Sequence, residues 1–481
     1  MIDPHIFRAY DIRGKAHSQL SADACELIGK GFGTVLRRMY KKDHPNVVVG
    51  CDARTHSPEL VAAMINGLMK AGCKVLTIGE TPSPLNYFTI CDRKLDGGVQ
   101  VTASHNPKED NGLKLQVRDA EAYSGESLQD LRKQIEKDDF LPGKGTQETI
   151  DGITAYKEFL SKKFNGVGKG LTVVVDSGNG VTGPVNCDVL RSVGAEVIEL
   201  FTDPDGEFPN HPADPSKHST LKDLQAKVKE VSADIGFAFD GDGDRLGLVD
   251  EQGKIWSSDY LLLLLAEDHL KRFPGSPVIF TISNSEILNT EVERWGGRPV
   301  MCKVGHSYVE HAMREEKAQL GGEQSGHFFC AEDYFGFDDA LVAALRVLSI
   351  LCNSGHPSKG ANSTGAGSQD RSRGRLLSEL MNGFPKVHQA PELRPHCPDA
   401  SKGKVITAIT AHFKKTHPVN TLDGVRIDFG DGAWAGIRQS NTSPCISVCM
   451  EARTKEKLEA IEAIVLEHLG KYTELKMNSE K

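Results

Sequence analysis

The segment Asp240-Gly-Asp-Gly-Asp-Arg245 sets three carboxylates at alternate positions with glycines between them. It lies between the apolar runs 235–239 and 246–249, so the spacing predicts a loop that brings three oxygens onto one hard cation. Magnesium takes oxygen ligands octahedrally and keeps positions for phosphate oxygens, which suits three carboxylates and one further oxygen. A calcium EF-hand is the rival reading, because Asp240, Asp242, Asp244 and Glu251 stand at its ligand positions 1, 3, 5 and 12. Arg245, however, stands where that loop needs glycine for its turn, and the flanks read as strands rather than helices. The blander alternative is a solvated acidic turn.

Thr102-Ala-Ser-His-Asn-Pro107 follows the apolar run 98–101 and ends in proline, so Ser104 is expected on a constrained loop at a strand end. Ser and Asn also serve commonly as caps and turn formers. What raises the hexapeptide above that reading is the acidic loop, since a hydroxyl nucleophile beside a bound cation is what phosphoryl transfer requires. His105 adds a neighbouring imidazole, and Lys114 is expected to place a cation near the phosphate.

Four further segments carry polar groups in usable patterns. Gly322-Glu-Gln-Ser-Gly-His327 alternates a carboxylate, a hydroxyl and an imidazole, which on an extended segment would point the same way. Glu323 and Ser325 suit vicinal sugar hydroxyls and His327 suits a proton shuttle, while an edge strand facing water is the equal alternative. Upstream, Lys303 and His306 form a basic pair before a helix expected from Ser307. Arg438-Gln-Ser-Asn-Thr-Ser-Pro444 joins two strand patterns and offers backbone N–H groups, short polar side chains and a forked cation, the makings of a phosphate cradle. Near the start, Phe7-Arg-Ala-Tyr-Asp-Ile-Arg-Gly14 sets Arg8 and Arg13 around a short segment, Arg13 to face a reacting phosphate or either to form a surface ion pair.

The elements that must hold these residues follow from hydrophobic periodicity. The run 47–50, a polar turn, a helical pattern over 58–71 and the run 75–78 read as βαβ, and the same grammar recurs at 171–180 and 277–285. The expected fold class is α/β, with three tandem similar α/β domains and a C-terminal α+β domain. The boundaries fall at 1–150, 151–252 and 253–352, with a flexible Ser/Gly/Lys/Arg-rich linker or insertion over 353–375 and the last domain over 376–481. The α+β reading rests on strands expected over 424–429, 433–438 and 445–450 before an amphipathic helix over 454–471. At 481 residues there is chain enough for several cores. A balance of 57 Lys+Arg against 66 Asp+Glu argues against nucleic acid or an anionic membrane as partner. The apolar run 261–266 is far short of a bilayer and the first residues lack the order of a signal peptide, so a cytoplasmic protein is expected. Its 11 cysteines show no CxxC or CxxH spacing and read as reduced thiols.

These segments, in this order and at these separations, resemble the α-D-phosphohexomutase family, most closely its phosphomannomutase/phosphoglucomutase branch. The resemblance implies domains around a central cleft and an isomerase that interconverts hexose 1-phosphate and hexose 6-phosphate through a phosphoserine and a hexose 1,6-bisphosphate. It implies that Ser104 is the phosphoserine, that Ser104, Asp240, Asp242 and Asp244 hold magnesium, and that Arg13, His105, Lys114 and His327 serve the transfer. Substrate contacts would come from Tyr10, Arg245, Lys303, His306, Glu323, Ser325, Arg438, Ser440, Asn441 and Thr442. A monomer or weak dimer that feeds nucleotide-sugar precursors is implied. The alternatives are a phosphoglucosamine mutase and a non-catalytic sugar-phosphate-binding relative. The chain departs from the family pattern at Thr281-Ile-Ser283, where an Asp-Val-Lys run is common, and at Thr442-Ser-Pro444, where many relatives have Glu before the proline.

Overall fold

The computed structural model describes residues 2–354, 375–440 and 443–476. Most of the linker expected over 353–375 therefore lies outside the described residues, as do Asn441 and Thr442. The chain forms two compact units, Met1–Leu265 with Ser325–Met381, and Ala266–Gln324 with Asn382–Lys481.

In the first unit, runs such as Val47-Val48-Val49 and Val173-Val174-Val175 are buried throughout, as parallel strands covered on both faces must be. The strands β1 (Ile12–Lys15), β2 (Asn46–Cys51), β3 (Lys74–Glu80), β4 (Gly97–Val101), β5 (Asp110–Val117) and β6 (Thr146–Thr149) make one sheet in the order β1-β5-β4-β2-β3-β6. β4, β2, β3 and β6 run parallel, β5 runs antiparallel to β4, and β1 runs antiparallel to β5. Helices Ala22–Tyr40, Ser57–Lys70 and Glu126–Glu136 bury Ile28, Phe32, Leu60 and Leu131 against Val47, Val49 and Val99. A second mixed sheet follows in the order β11-β10-β9-β7-β8, from β7 (Thr172–Asp176), β8 (Glu196–Leu200), β9 (Ile235–Phe239), β10 (Leu246–Asp250) and β11 (Ile255–Trp256). Two antiparallel connections matter for the chemistry. β4 and β5 pair Val101 with Leu113 and enclose Ser104, while β9 and β10 pair Phe239 with Leu246 and enclose residues 240–245.

The second unit holds β12 (Pro277–Thr281), β13 (Arg298–Cys302) and β14 (Leu320–Gly322), parallel with β12 in the middle. Its C-terminal part is an antiparallel sheet that includes Val425–Asp428, Trp434–Gln439 and Ile446–Ala452. Helices Asp399–Phe413 and Lys455–Leu469 bury Val405, Ile409, Ile461 and Val465 against Ile427, Ile437 and Val448. The architecture is the expected one: three tandem α/β domains followed by an α+β domain.

The apolar helix Ala340–Asn353 of the first unit is capped by Asp339, whose Oδ1 accepts from the Val342 N–H at 3.0 Å. Its Oδ2 accepts from the hydroxyls of Tyr156 at 2.8 Å and Tyr334 at 2.7 Å. Burial pushes this carboxyl up to about 6 from an ordinary 3.8. A raised carboxyl pKa means that the folded state holds the proton longer than the unfolded state, so stability falls as pH rises from about 4 to about 6 and is flat above. Asp339→Asn keeps an oxygen for the cap and removes the titration. Between pH 4 and pH 7 the variant should gain about 2 kcal/mol relative to wild type in denaturant unfolding, and parallel pH profiles would refute the assignment.

Candidate active site

Ser104 sits just beyond the carboxyl end of β4 and is 1% exposed. Its φ of 52° is the left-handed conformation that a residue with a Cβ adopts only when its surroundings impose it. Those surroundings are specific. The Ser104 N–H donates to Thr102 Oγ1 at 2.8 Å, and the Thr102 hydroxyl donates to Asp52 Oδ2 at 2.7 Å. Buried Arg54 donates to the carbonyls of Ser104, Asn106, Pro107 and Asp110 at 2.6 to 3.0 Å, with its Nε on Asp52. Arg13 adds bonds to the Ala103 carbonyl at 3.1 Å and Asn106 Oδ1 at 3.0 Å, while its Nε holds Asp11. Neither Arg54 nor Asp52 was picked out by the sequence patterns; only their position after an apolar run at a strand end could have flagged them.

The β9–β10 turn brings the acidic loop against this serine. A Cβ on Gly241 would lie 2.5 Å from the Ser104 carbonyl oxygen, so only glycine permits the approach, and Gly243 turns the loop at a φ of 84°. Ser104 Oγ donates to Asp240 Oδ2 at 2.5 Å and lies 3.0 Å from His105 Nδ1. Asp240, Asp242 and Asp244 are at most 2% exposed, and one oxygen from each falls within 4.8 Å of the others. The strand flanks exclude the EF-hand, and the burial excludes a solvated turn.

Lys114 lies on β5 opposite Gln100, and its Nζ donates to Asp242 Oδ2 at 2.7 Å and to Asp244 Oδ2. It is the counter-ion of two carboxylates. Burial opposes its charge, yet Asp242 and Asp244 hold its pKa well above the ordinary value. Burial also pushes Asp242 and Asp244 up, but Lys114 outweighs it, holding Asp242 below and Asp244 well below the usual range; His327 and Arg245 assist at Asp244. Asp240 goes the other way: burial, then Asp244 and Asp242, push it well above its ordinary value. Ser83, which the sequence reading missed, donates from Oγ to Asp242 Oδ2 at 2.5 Å and from N to the Asp242 carbonyl at 2.8 Å. Asp242 Oδ1 and Asp244 Oδ1 remain buried with no hydrogen-bond partner. An orphaned Asp242 oxygen and an Asp244 oxygen with only a 3.4 Å contact to His327 Nε2, beside an unfavourably charged third carboxyl, fit a divalent cation.

His105 is neutral at neutral pH, because burial and then the cations Arg245 and Arg13 push its imidazole well below the ordinary value. His327 has Nδ1 2.9 Å from Ser325 Oγ and Nε2 3.4 Å from Asp244 Oδ1, and Arg245 Nε donates to Nε2 at 3.4 Å. The extended segment expected over 322–327 is a turn. The chain reverses at Gln324-Ser325 and passes through Gly326 at a φ of 100°, so the strand alternation expected of Glu323, Ser325 and His327 does not apply. Tyr10 is half-buried on the bend before β1.

The remaining predicted residues lie in the second unit. Glu323, just past β14, accepts from the Gly305 N–H at 2.7 Å. Lys303 is exposed, with Nζ 5.6 Å from the Tyr308 ring, and His306 opens the helix His306–Glu316. Arg438 lies on the strand Trp434–Gln439, and Ser440 follows it. Two cations that the sequence reading missed brace this turn. Lys402 Nζ donates to the carbonyls of Ser440 at 2.9 Å and Ser443 at 2.5 Å, and Arg394 Nη2 donates to Ser440 Oγ at 3.2 Å.

Comparison with known proteins settles the kinship of these loops. Phosphoglucomutase/phosphomannomutase models match in succession, alpha/beta/alpha domains I, II and III at residues 4–142, 152–253 and 257–363 and the C-terminal domain at 392–468. The chain belongs to the phosphoglucomutase/phosphomannomutase family. It is 40% identical to the phosphomannomutase/phosphoglucomutase of Pseudomonas aeruginosa over 461 residues, 95% of this chain and 94% of that one. It is 36% identical to a phosphoglucomutase of Neisseria gonorrhoeae, covering 95% of each. A crystal structure of a family protein from Burkholderia thailandensis matches with a TM-score of 0.87 and 37% identity over 98% of both chains. Members of the family are isomerases that move a phosphoryl group within a hexose. The family is generally metal-dependent, and this chain carries a buried triad of carboxylates fitted to a cation.

Since Lys114 and a divalent cation neutralise the same carboxylates, each disfavours the other. Lys114→Met should lower the melting temperature in chelator but tighten magnesium or manganese binding about tenfold, enlarging the metal-dependent stabilisation by about 1.4 kcal/mol at a fixed saturating concentration. Equal metal increments in variant and wild type would show that the two cations do not compete.

Proposed function

We propose that the protein interconverts hexose 1-phosphate and hexose 6-phosphate, with mannose and glucose as the sugars, through a phosphoserine at Ser104 and a hexose 1,6-bisphosphate. The observation that carries this reading is Ser104 Oγ itself, in a strained and rigidly braced loop between a carboxylate of the acidic triad and a neutral imidazole. The names of the 36 to 40% identical relatives favour mannose and glucose phosphates over the glucosamine alternative.

Phosphoserine donates its phosphoryl group to a sugar hydroxyl: the bond from phosphorus to Ser104 Oγ breaks and one to the sugar oxygen forms, giving the bisphosphate. His327, held through Nδ1 by Ser325, takes the hydroxyl proton. As Ser104 Oγ leaves, it takes a proton relayed through His105, 3.0 Å away. After the sugar reorients, Ser104 Oγ attacks the other phosphorus and returns that proton to His105 Nδ1. The bond from this phosphorus to the sugar oxygen breaks, and that oxygen takes the proton held on His327. Reorientation is required because one serine fixed in place must act on both ends of the same hexose. Asp240, Asp242 and Asp244, with an oxygen on Ser104, would hold magnesium, which when bound neutralises charge on the transferring group. Arg13 and Arg245 lend positive charge to the same place. In the second unit, Glu323 and Lys303 with His306 contact the sugar phosphate, while Arg438 and Ser440 hold the phosphate that is not transferred. Tyr10 and Ser325 complete the contacts; Asn441 and Thr442 belong to this set by resemblance and lie outside the described residues.

The domains in this reading are 1–150, 151–252, 253–352 and 376–481. The enzyme works in the cytoplasm on small hexose phosphates, as a monomer or weak dimer, and supplies precursors of nucleotide sugars. The cysteines among the described residues are free thiols, and no helix among them is long and apolar enough to cross a membrane.

Intact-mass measurement and peptide mapping should find one phosphoryl group on Ser104 of the native protein. Ser104→Ala should lose it and, with glucose 1,6-bisphosphate supplied, lose turnover of mannose 1-phosphate and glucose 1-phosphate by at least about a thousandfold. Full activity in that variant would sink the phosphoserine assignment. Exclusive turnover of glucosamine 1-phosphate by wild type would instead sink the substrate assignment.

A further inference from the structure

The loops that leave the carboxyl ends of β12, β13 and β14 are each bonded to the C-terminal sheet of the same unit. After β12, Arg426 Nη1 donates to the carbonyls of Ile282 at 2.5 Å and Asn284 at 2.8 Å, and its Nη2 donates to Glu286 Oε2 at 2.8 Å. After β13, the Val304 N–H donates to Asp423 Oδ2 at 3.1 Å. After β14, Cys449 Sγ lies 3.7 Å from Gln324 Oε1. The bond from the Gly305 N–H to Glu323 Oε1 joins the second loop to the third.

Arg426 is the strongest of these ties. It is 6% exposed, and its guanidinium lies 3.6 Å from the centre of the Trp434 ring. Fully buried Glu451 continues the network: Oε1 accepts from the Glu286 N–H at 2.9 Å and Trp434 Nε1 at 3.1 Å, and Oε2 accepts from Gln389 Nε2 at 2.9 Å. Glu286 is therefore gripped by its side chain from one strand and by its backbone from another. Arg426 pairs with Gly436, two positions before Arg438 on the strand that opens into the Ser440 turn. Burying a guanidinium is costly unless its donors are matched, and matching three acceptors in a plane needs the fork that lysine lacks.

We infer that Arg426 is a positioning residue for the mutase reaction, setting the distance between the sugar-contacting loop at Glu323 and the phosphate-holding residues Arg438 and Ser440. It acts through the 282–286 loop and the Glu286–Glu451 network and touches no substrate. The inference rests on the phosphosugar roles given to Glu323 and Arg438 above. Misplacing these phosphate-holding residues weakens the grip on the hexose phosphate while leaving the chemistry at Ser104 intact, so its signature is in KM rather than kcat.

The test is steady-state kinetics on glucose 1-phosphate with glucose 1,6-bisphosphate present, for wild type, Arg426→Lys and Glu286→Gln. Arg426→Lys keeps the charge and loses the fork; KM should rise about tenfold with kcat within about twofold and the phosphate on Ser104 unchanged by intact mass. Glu286→Gln, at a partly exposed side chain, keeps the shape and weakens one bond, so KM should rise about threefold. If Arg426→Lys does not fold, Glu286→Gln decides alone. Unchanged KM in the folded variants, or a fall in kcat at constant KM, overturns the positioning role. A wild type that turns over no hexose phosphate overturns the parent reading instead.

Discussion

Three carboxylates held almost wholly out of water are the constraint around which the first unit is arranged. Each such charge is costly to bury alone, and the surroundings of the acidic loop answer that cost one group at a time. Lys114 balances two of the carboxylates, Ser83 and Ser104 donate to individual oxygens, and the N–H groups of Gly243 and Arg245 donate to Asp240 Oδ1. What this leaves uncompensated is also informative. An Asp242 oxygen without a partner, an Asp244 oxygen with only His327 Nε2 at 3.4 Å, and one carboxyl pushed upward mark the place where a cation completes the balance.

The conformation of Ser104 is subordinate to that arrangement. Ser104 reaches Asp240 because its backbone is forced into a left-handed conformation, and four carbonyl contacts from Arg54 maintain it. Arg54 is itself held by Asp52, which also accepts from Thr102 and Ser57. The strain is thus supported by a buried ion pair outside the reacting atoms. Burial first, and then the cations Arg245 and Arg13, push the His105 imidazole well below its ordinary value.

Legibility of the site in the sequence follows from how local each signal is. The acidic loop announces itself because Asp and Gly alternate between two apolar runs, and the antiparallel pairing of Phe239 with Leu246 is what such runs around a short polar stretch favour. Ser104 is legible by the same logic of a strand end. Arg54, Ser83, Lys402 and Arg394 were not, since their partners lie tens of positions or more away and no spacing rule connects them. Lys114 was found but not its carboxylate partners, because a sequence shows that a lysine is near a loop and not which charges converge on it. The 322–327 segment misled for a subtler reason: alternating polar residues imitate a strand, while Gly326 at positive φ makes a turn.

Gly241 against the carbonyl of Ser104 has a consequence for how the protein is made. The bond between Ser104 and Asp240 spans 136 positions of chain, so during synthesis Ser104 is translated long before the acid loop that completes its surroundings. Domains fold largely in order as they emerge from the ribosome. Without the β9–β10 turn, however, that serine lacks its carboxylate neighbour and the triad. A nascent chain therefore carries Ser104 well before it has the carboxylate that accepts the Ser104 hydroxyl.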